Sequence, residues 1–308
     1  MTRFLVTGAS GLLGLNFSVQ TAGQHDVIGV VCRNRLTGVP FSTIQADLSH
    51  PGTAAKILRE FKPEVVLHCA ALANVDACEE KRELAYRINA EVPGELAVMC
   101  AKHNMKFVHI STDAVFDGQK GNYLEDDLPN PVNAYAESKL EGERLVAEAN
   151  PEALIARVNF YGYSLFGKRS LGEFFVHRLA AGEAVNGFTD VIFCPLEVND
   201  LAEVLLEMIE KDLRGMYHVV SPECVSKYEF GCRIAAEFGF DQKLITPINW
   251  TEAGLKATRS PNLTLRVDKL VRDLGHALPG QEKGIRRFYK LYQEGYPAYL
   301  QSLGQAGL

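Results

Sequence analysis

"RFLVTGASGLLG", residues 3–14, decides how the rest of the chain is read. A short apolar run of strand-forming residues breaks at Gly8, then Gly11 and Gly14 lead into an apolar pattern with helical spacing. Glycines let a chain turn tightly and bring its backbone N–H groups close to a phosphate, and a helix N-terminus adds partial positive charge. The spacing is G-x-x-G-x-x-G rather than the G-x-G-x-x-G dinucleotide fingerprint. A purely structural turn would look the same in isolation. Its place at the first strand-to-helix junction points to nucleotide binding.

Outward from this junction the first half keeps the same rhythm. "VIGVVC" (27–32), "TIQAD" (43–47), "EVVLHCA" (64–70), "KFVHIST" (106–112) and "ALIARVN" (153–159) read as short buried strands. Helical patterns separate them: 11–22, 51–61, 83–103 and 135–149. Strands alternating with helices predict an α/β fold, a doubly wound parallel sheet of Rossmann type with ligands at the strands' C-terminal edge. After residue 160 the alternation weakens. Asp200 with Glu203, and Ser226 with Glu229, are candidate helix caps, the second helix stopping near Gly239; "GMYHVV" (215–220) reads as one more strand. The expected organisation is a cofactor domain over 1–160 and a smaller substrate-binding region over 161–308, interleaved with the first.

The composition excludes other classes. The 308 residues are 47% hydrophobic and 23% charged, with no low-complexity tract and no repeat of fixed period. A net charge of −6 and the absence of a basic stripe argue against nucleic acid as a partner. The local basic spots "GKRS" (167–170) and "GIRRFYK" (284–290) suit a phosphorylated small molecule at most. Seven cysteines are scattered with no Cys-x-x-Cys pair and no zinc spacing, so they read as small apolar residues of a reduced protein with no metal. The chain enters a strand almost at once and holds no apolar run of the ~18 to 20 residues that span a bilayer. A cytoplasmic protein without membrane association is expected.

The second strand ends in "VVCRNR", with Cys32 where an NAD-selective protein would place an acidic residue against the ribose hydroxyls. Arg33 and Arg35 follow, and guanidinium forks suit a 2′-phosphate. NADP(H) is therefore preferred, with NAD(H) possible; two solvated loop arginines are the alternative. Asp47, beside Leu48 at the end of the third strand, faces either the adenine or its own loop. "HISTDAVFDG" sets Ser111 and Thr112 at the ligand edge of the fifth strand. "YAESK" then opens the next helix with Tyr135 and Lys139 on one face. A tyrosine at its usual pKa of ~10 is a poor proton donor, and a nearby ammonium lowers that pKa. A hydroxyl from Thr112 would aim a substrate oxygen at the phenol.

"TGASGLLG", "STDAVFDG" and "YAESK", in this order, resemble the extended short-chain dehydrogenase/reductases. "HCAALANVDACE" (68–79), "RINAEVPGELA" (87–97), "NPVNAYAESKLEGE" (130–143) and "RSPNLTLRVDKL" (259–270) are similar to the dTDP-4-dehydrorhamnose reductase family. The resemblance implies an NADPH-dependent reductase of a nucleotide-linked 4-keto-6-deoxy sugar, with Thr112, Tyr135 and Lys139 as catalytic hydroxyl, acid and lysine. It implies a cofactor turn of Gly8, Ser10, Gly11, Leu12, Leu13 and Gly14, and a loop through Ala70 and Ala71 on the nicotinamide side. Asn89 is implied as a structural or proton-relay residue. Asn74, Asp76, Phe160 and Arg259 are implied near the substrate, and Lys168 and Arg169 are further diphosphate candidates. Ala114 stands where the family often has an aromatic residue, and Phe160 where it has Trp. The run Thr112-Asp113-Ala114 lacks the second carboxylate of the 4,6-dehydratases, so Asp113 reads as a loop cap. Two further implications are a regulatory β subunit of methionine adenosyltransferase type, which binds NADP, and a sugar-nucleotide epimerase. A homodimer is possible.

Overall fold

The structure, a computed structural model, describes residues 1–253 and 260–304. Seven parallel strands form the central sheet: β1 Arg3–Thr7, β2 Asp26–Val31, β3 Ser42–Gln45, β4 Val65–His68, β5 Lys106–Thr112, β6 Leu154–Val158 and β7 Gly215–Val219. Their spatial order is β7-β6-β5-β4-β1-β2-β3. The order reverses between β1 and β4, and that gap is the crevice in which doubly wound sheets bind ligands. Register brings Thr7 of β1 level with His68 of β4, so Gly8 and Cys69 face one another at the crevice floor.

Each face of the sheet is buried under its own apolar layer. Phe4, Val6, Leu67 and Val108 pack on one side with Phe17, Leu201 and Leu205 from helices Leu12–Thr21 and Val198–Glu210. Leu5, Val66, Phe107 and Ile155 pack on the other with Leu58, Leu96 and Val146. A third core, built around Tyr161, Tyr163, Phe175, Phe230 and Phe288, holds the later elements together. This second half does not stay apart from the first. The Val198–Glu210 helix packs against Leu12–Thr21, and β7 returns to the edge of the central sheet beside β6. The chain end ties back as well, with Thr37 N–H donating to Leu303 O at 2.8 Å and the Tyr296 hydroxyl to Asn16 Oδ1 at 2.8 Å. Among the described residues no helix is long and apolar enough to cross a membrane.

Three local expectations need correction. Residue 200 does not cap its helix: the Glu197 side chain accepts from the N–H groups of Asn199 and Asp200, so the helix starts at Val198. The apolar stretch 83–103 is not one regular helix, because residues 87–91 form a wider π turn before Val92–Lys102. Pro93 explains the widening, since it has no N–H for the carbonyl of Asn89 four residues back. Finally, Cys194 and Cys224 are not separate apolar fillers. Antiparallel pairing of Phe193 with Val225 sets them side by side, and they form a disulfide. By contrast the Ser226–Glu229 capping box and the left-handed stop at Gly239 are present as expected.

The Ala134–Ala149 helix is locked to the sheet by a buried ion pair. Arg157 of β6 donates Nε and Nη2 to the two oxygens of Glu143 at 3.0 and 2.8 Å, and both side chains are only 4% exposed. Ser111 Oγ donates to the same carboxylate at 2.5 Å, and the guanidinium lies 5.0 Å from the Phe116 ring centroid. Breaking such a pair from one side strands a buried charge. Arg157→Met should therefore cost about 3 to 5 kcal/mol of stability by urea unfolding. Adding Glu143→Met should recover most of that loss.

Candidate active site

The turn after β1 needs glycine twice. Gly8 has φ +69°, and a Cβ there would lie 2.8 Å from the backbone nitrogen of Ala70. At Gly14 a Cβ would lie 2.4 Å from Gly8 O, so helix Leu12–Thr21 begins hard against the turn. The N-cap residue of that helix, Gly11, offers no side-chain cap, and the first turn carries no acidic residue. The N–H groups of the first turn are thus left for an anion, which is the arrangement a dinucleotide diphosphate requires. Ser10 and Leu12 line this half-exposed turn, while Leu13 is buried beneath it.

At the end of β2 the two arginines differ. Arg35 donates Nε to Gln45 Oε1 at 2.7 Å, and Gln45 donates in turn to Cys32 O at 2.9 Å. Arg33 is exposed and makes no hydrogen bond or ion pair with the described residues, which leaves its fork for a ligand phosphate. Asp47 caps its own turn, accepting from Ser49 N–H at 2.9 Å and Ser49 Oγ at 2.7 Å, and these bonds hold its carboxyl below the usual range. Leu48 packs into the core under β3.

Thr112 ends β5 and caps the short turn Asp113–Val115 through Ala114 N–H at 3.2 Å. Its hydroxyl donates to Asp113 Oδ1 at 3.1 Å and lies near enough to the Tyr135 phenol to pull its pKa down. Asn159 Nδ2 donates to the other oxygen of Asp113 at 2.5 Å. Burial pushes the Asp113 carboxyl up to about 6, against the pull of Asn159 and Thr112. Asp113 therefore does more than cap a loop: it is a buried carboxylate hydrogen-bonded to Thr112 and Asn159, and its charge is felt at the Tyr135 phenol.

Tyr135 sits in the first turn of its helix, where Asn133 Oδ1 accepts from Ala136 N–H at 3.0 Å and Glu79 Oε1 from Ala134 N–H at 2.7 Å. Burial pushes its phenol up to about 12, with the Thr112 bond opposing and Asp113 adding to the rise. The sequence predicts a phenol lowered by Lys139. Instead Lys139 Nζ donates to Ile110 O at 2.7 Å and lies 3.5 Å from His109 Nε2, so the ammonium is spent on the strand. Burial lowers the ammonium to about 8, with Glu143 and Cys69 opposing. The phenol therefore keeps its proton across neutral pH, and at that pKa it is a weak acid that gives the proton up only to an oxygen on which charge develops.

Ala70 N–H donates to Thr7 Oγ1 at 3.2 Å, and Ala71 is exposed on the loop that follows. Asn89 holds that loop. It accepts from Leu72 N–H at 2.8 Å, donates to Leu72 O at 3.0 Å, and donates to Ser138 Oγ at 3.0 Å. The loop under the crevice and the tyrosine helix are thereby tied through one amide. Asn89→Ala should cost about 1 to 3 kcal/mol, because Leu72 is left without partners. Faster hydrogen exchange at the Leu72 amide would locate the damage.

A cleft opens beside Tyr135, lined by Val75, Ala114, Asn133, Asn159, Ile192, Phe193, Lys227, Ser260 and Leu263. Ala114 faces this cleft. Phe160 packs into the core instead, and its neighbour Asn159 faces the cleft. Asn74 caps helix Val75–Glu80 through Ala77 N–H at 2.8 Å, and Asp76 is exposed in its first turn. Lys168 and Arg169 are exposed side chains at a helix start, whereas Arg259 lies outside the described residues. Sequence reasoning missed Asn133, Asn159, Ile192, Phe193 and Lys227, which reach the cleft from distant segments. Only the capping box at Ser226 hinted that Lys227 opens a helix. No group of three or more metal-ligating side chains occurs among the described residues.

Comparison with known proteins identifies the family. A probable low-salt glycan biosynthesis reductase of Haloferax volcanii is 35% identical over 288 residues, covering 91% of this chain and 95% of the relative. Methionine adenosyltransferase 2 subunit beta of Bos taurus is 32% identical over 264 residues, covering 80% and 75%. The structure of a dTDP-4-dehydrorhamnose reductase from Bacillus anthracis in complex with NADP superposes with a TM-score of 0.81 at 27% identity, over 94% of this chain and 99% of that one. The family model described as the RmlD substrate binding domain matches residues 2–294. The chain accordingly belongs to the RmlD substrate binding domain family.

Proposed function

We propose that the protein is an NADPH-dependent reductase that converts the 4-keto group of a nucleotide-linked 6-deoxy sugar to an alcohol. The observation that carries this reading is Tyr135 in the wall of a cleft, with the Thr112 hydroxyl near its phenol, on the same edge of the parallel sheet as the glycine turn. The dinucleotide fits the residues present: Gly8 has no room for a Cβ, the first turn of the next helix is uncapped, and Arg33 is unengaged where a 2′-phosphate would lie. Bound NADPH supplies a hydride at its nicotinamide.

The chain's own residues do the rest. The first-turn N–H groups after Gly11 hold the diphosphate, and Arg33 favours NADPH over NADH. Thr112 and Tyr135 hold the substrate carbonyl oxygen between two hydroxyls. As negative charge develops on that oxygen, Tyr135 transfers its phenolic proton to it and Thr112 stabilises it by hydrogen bonding. Asp113, fixed by Asn159, holds the Thr112 hydroxyl until substrate binds, and the hydroxyl's one proton then turns from Asp113 to the substrate oxygen. Asn133 and Lys227 offer polar groups to the sugar nucleotide from the cleft wall.

The test is oxidation of NADPH, followed by near-ultraviolet absorbance, with enzymatically prepared dTDP-4-keto-6-deoxy-L-sugar. Tyr135→Phe should lower turnover by about 10²- to 10⁴-fold, the usual worth of a positioned general acid, with NADPH affinity near normal. A Tyr135→Phe variant that kept substantial turnover would remove the phenol from the acid role. The likeness to the bovine β subunit favours one second reading, a regulatory subunit that binds NADP with little turnover. NADPH binding without consumption, together with a stable complex with a methionine adenosyltransferase, would favour it.

A further inference from the structure

β4 and β5 place two histidines side by side under the tyrosine helix. The rings of His68 and His109 are stacked with centroids 5.7 Å apart and an interplanar angle of 18°. Both are buried, at 1% and 0% exposure. His68 Nδ1 lies 2.8 Å from Thr7 Oγ1, the same oxygen that accepts from Ala70 N–H. His109 Nε2 lies 3.5 Å from Lys139 Nζ. The outer nitrogens, His68 Nε2 and His109 Nδ1, have no hydrogen-bond partner among the described residues. Two apolar residues would fill this space without leaving buried polar atoms unpaired, so the pair carries a cost that packing alone does not repay.

Desolvation, then the neighbouring ammonium of Lys139, keeps both rings neutral: His68 is pushed down to about 3 and His109 well below its ordinary value. A neutral ring facing an ammonium accepts through Nε2 and carries its proton on Nδ1. The charged or titratable groups facing Lys139 are His68, His109 and Cys69 from the strands and Glu143 from its own helix. Among these His109 is the ring at hydrogen-bonding reach.

We propose that His109, backed by His68, is a positioning residue for the reaction: its imidazole and the Ile110 carbonyl form the seat that fixes Lys139 one turn from Tyr135. The inference rests on the reductase reading for its consequence, and on the side-chain geometry for its existence. The seat also couples two parts of the site. The loop bearing Ala70 reaches Lys139 through Thr7 and the stacked rings, so a change on the cofactor side is felt at the lysine.

Removing the imidazole takes a hydrogen-bond acceptor from the charged form of Lys139, which lowers its pKa. The experiment is an NMR titration of the ε-carbons of labelled lysines in the full-length protein, comparing wild type, His109→Leu and His109→Gln. Lys139 is assigned by its loss in Lys139→Met. Burial holds the wild-type ammonium down to about 8, and its titration is expected there. In His109→Leu the titration should move down by about 0.5 pH unit or more, and His109→Gln, which keeps an acceptor, should stay near wild type. The resemblance gives Lys139 the catalytic-lysine role, so with the keto-sugar assay running the alkaline fall of kcat/KM, which reports the free enzyme, should move in parallel. An unchanged Lys139 titration in a folded His109→Leu variant overturns the proposal. So does an equal shift in both variants. Wild-type protein that fails to turn over keto-sugar overturns the reductase reading alone, since the titration is read without substrate.

Discussion

The reactive edge depends on a missing side chain. At Gly8 the backbone of β1 comes so close to that of Ala70 that any Cβ would collide with it. That closeness brings the turn for the diphosphate and the loop that follows β4 within reach of one ligand. It also lets Thr7 accept from Ala70 and meet His68 in the same layer. The crevice between β1 and β4 is thus an assembled floor as well as a gap in strand order, and the residues proposed for chemistry hang from it.

A second constraint fixes the tyrosine helix over that floor. Gly142 lets the helix approach the π turn so closely that a Cβ there would sit 2.2 Å from Asn89 O. Next to this contact Asn89 ties the helix to the loop at Leu72, and Glu143 ties it to β5 and β6 through Ser111 and Arg157. Each is a buried polar contact whose loss leaves a partner unsatisfied, and together they fix where Tyr135 and Lys139 lie. Tyr135 is left with Thr112 and Lys139 with the strand. The i,i+4 spacing was enough to place the two residues on one face, but it says nothing about where a long side chain ends.

Much of the fold was legible because parallel strands covered on both faces read as plain apolar runs. All seven central strands lie within two residues of the runs read as strands, but only six are buried: the edge strand Ser42–Gln45, expected to be buried, is mostly exposed. The glycine turn was legible because its position, and not its spacing, identifies it. The start of the helix at Val198 was not legible, because Glu197 is an unusual cap whose role depends on burial. Asp113 was underestimated for the same reason: a carboxylate after a strand looks like a loop cap until Asn159, 46 residues on, is found against it. The cleft wall was the least legible part. Ile192, Phe193 and Lys227 come together only through the pairing of two two-residue strands, too short to leave a period in the sequence.

The bond between Cys194 and Cys224 closes a ring of chain that contains the Val198–Glu210 helix and β7. Its two ends flank the ribbon that carries Phe193 and Val225 beside the cleft. Closing a loop of about 30 residues removes unfolded-state entropy worth about 3.6 kcal/mol in the chain-entropy treatment. The ring therefore joins two places, an edge strand of the central sheet and the wall of the cleft. The sheet edge cannot fray far without dragging on that wall, and disorder in the wall has the same purchase on the edge. The two behave as one cooperative unit, although they lie in different layers of the molecule.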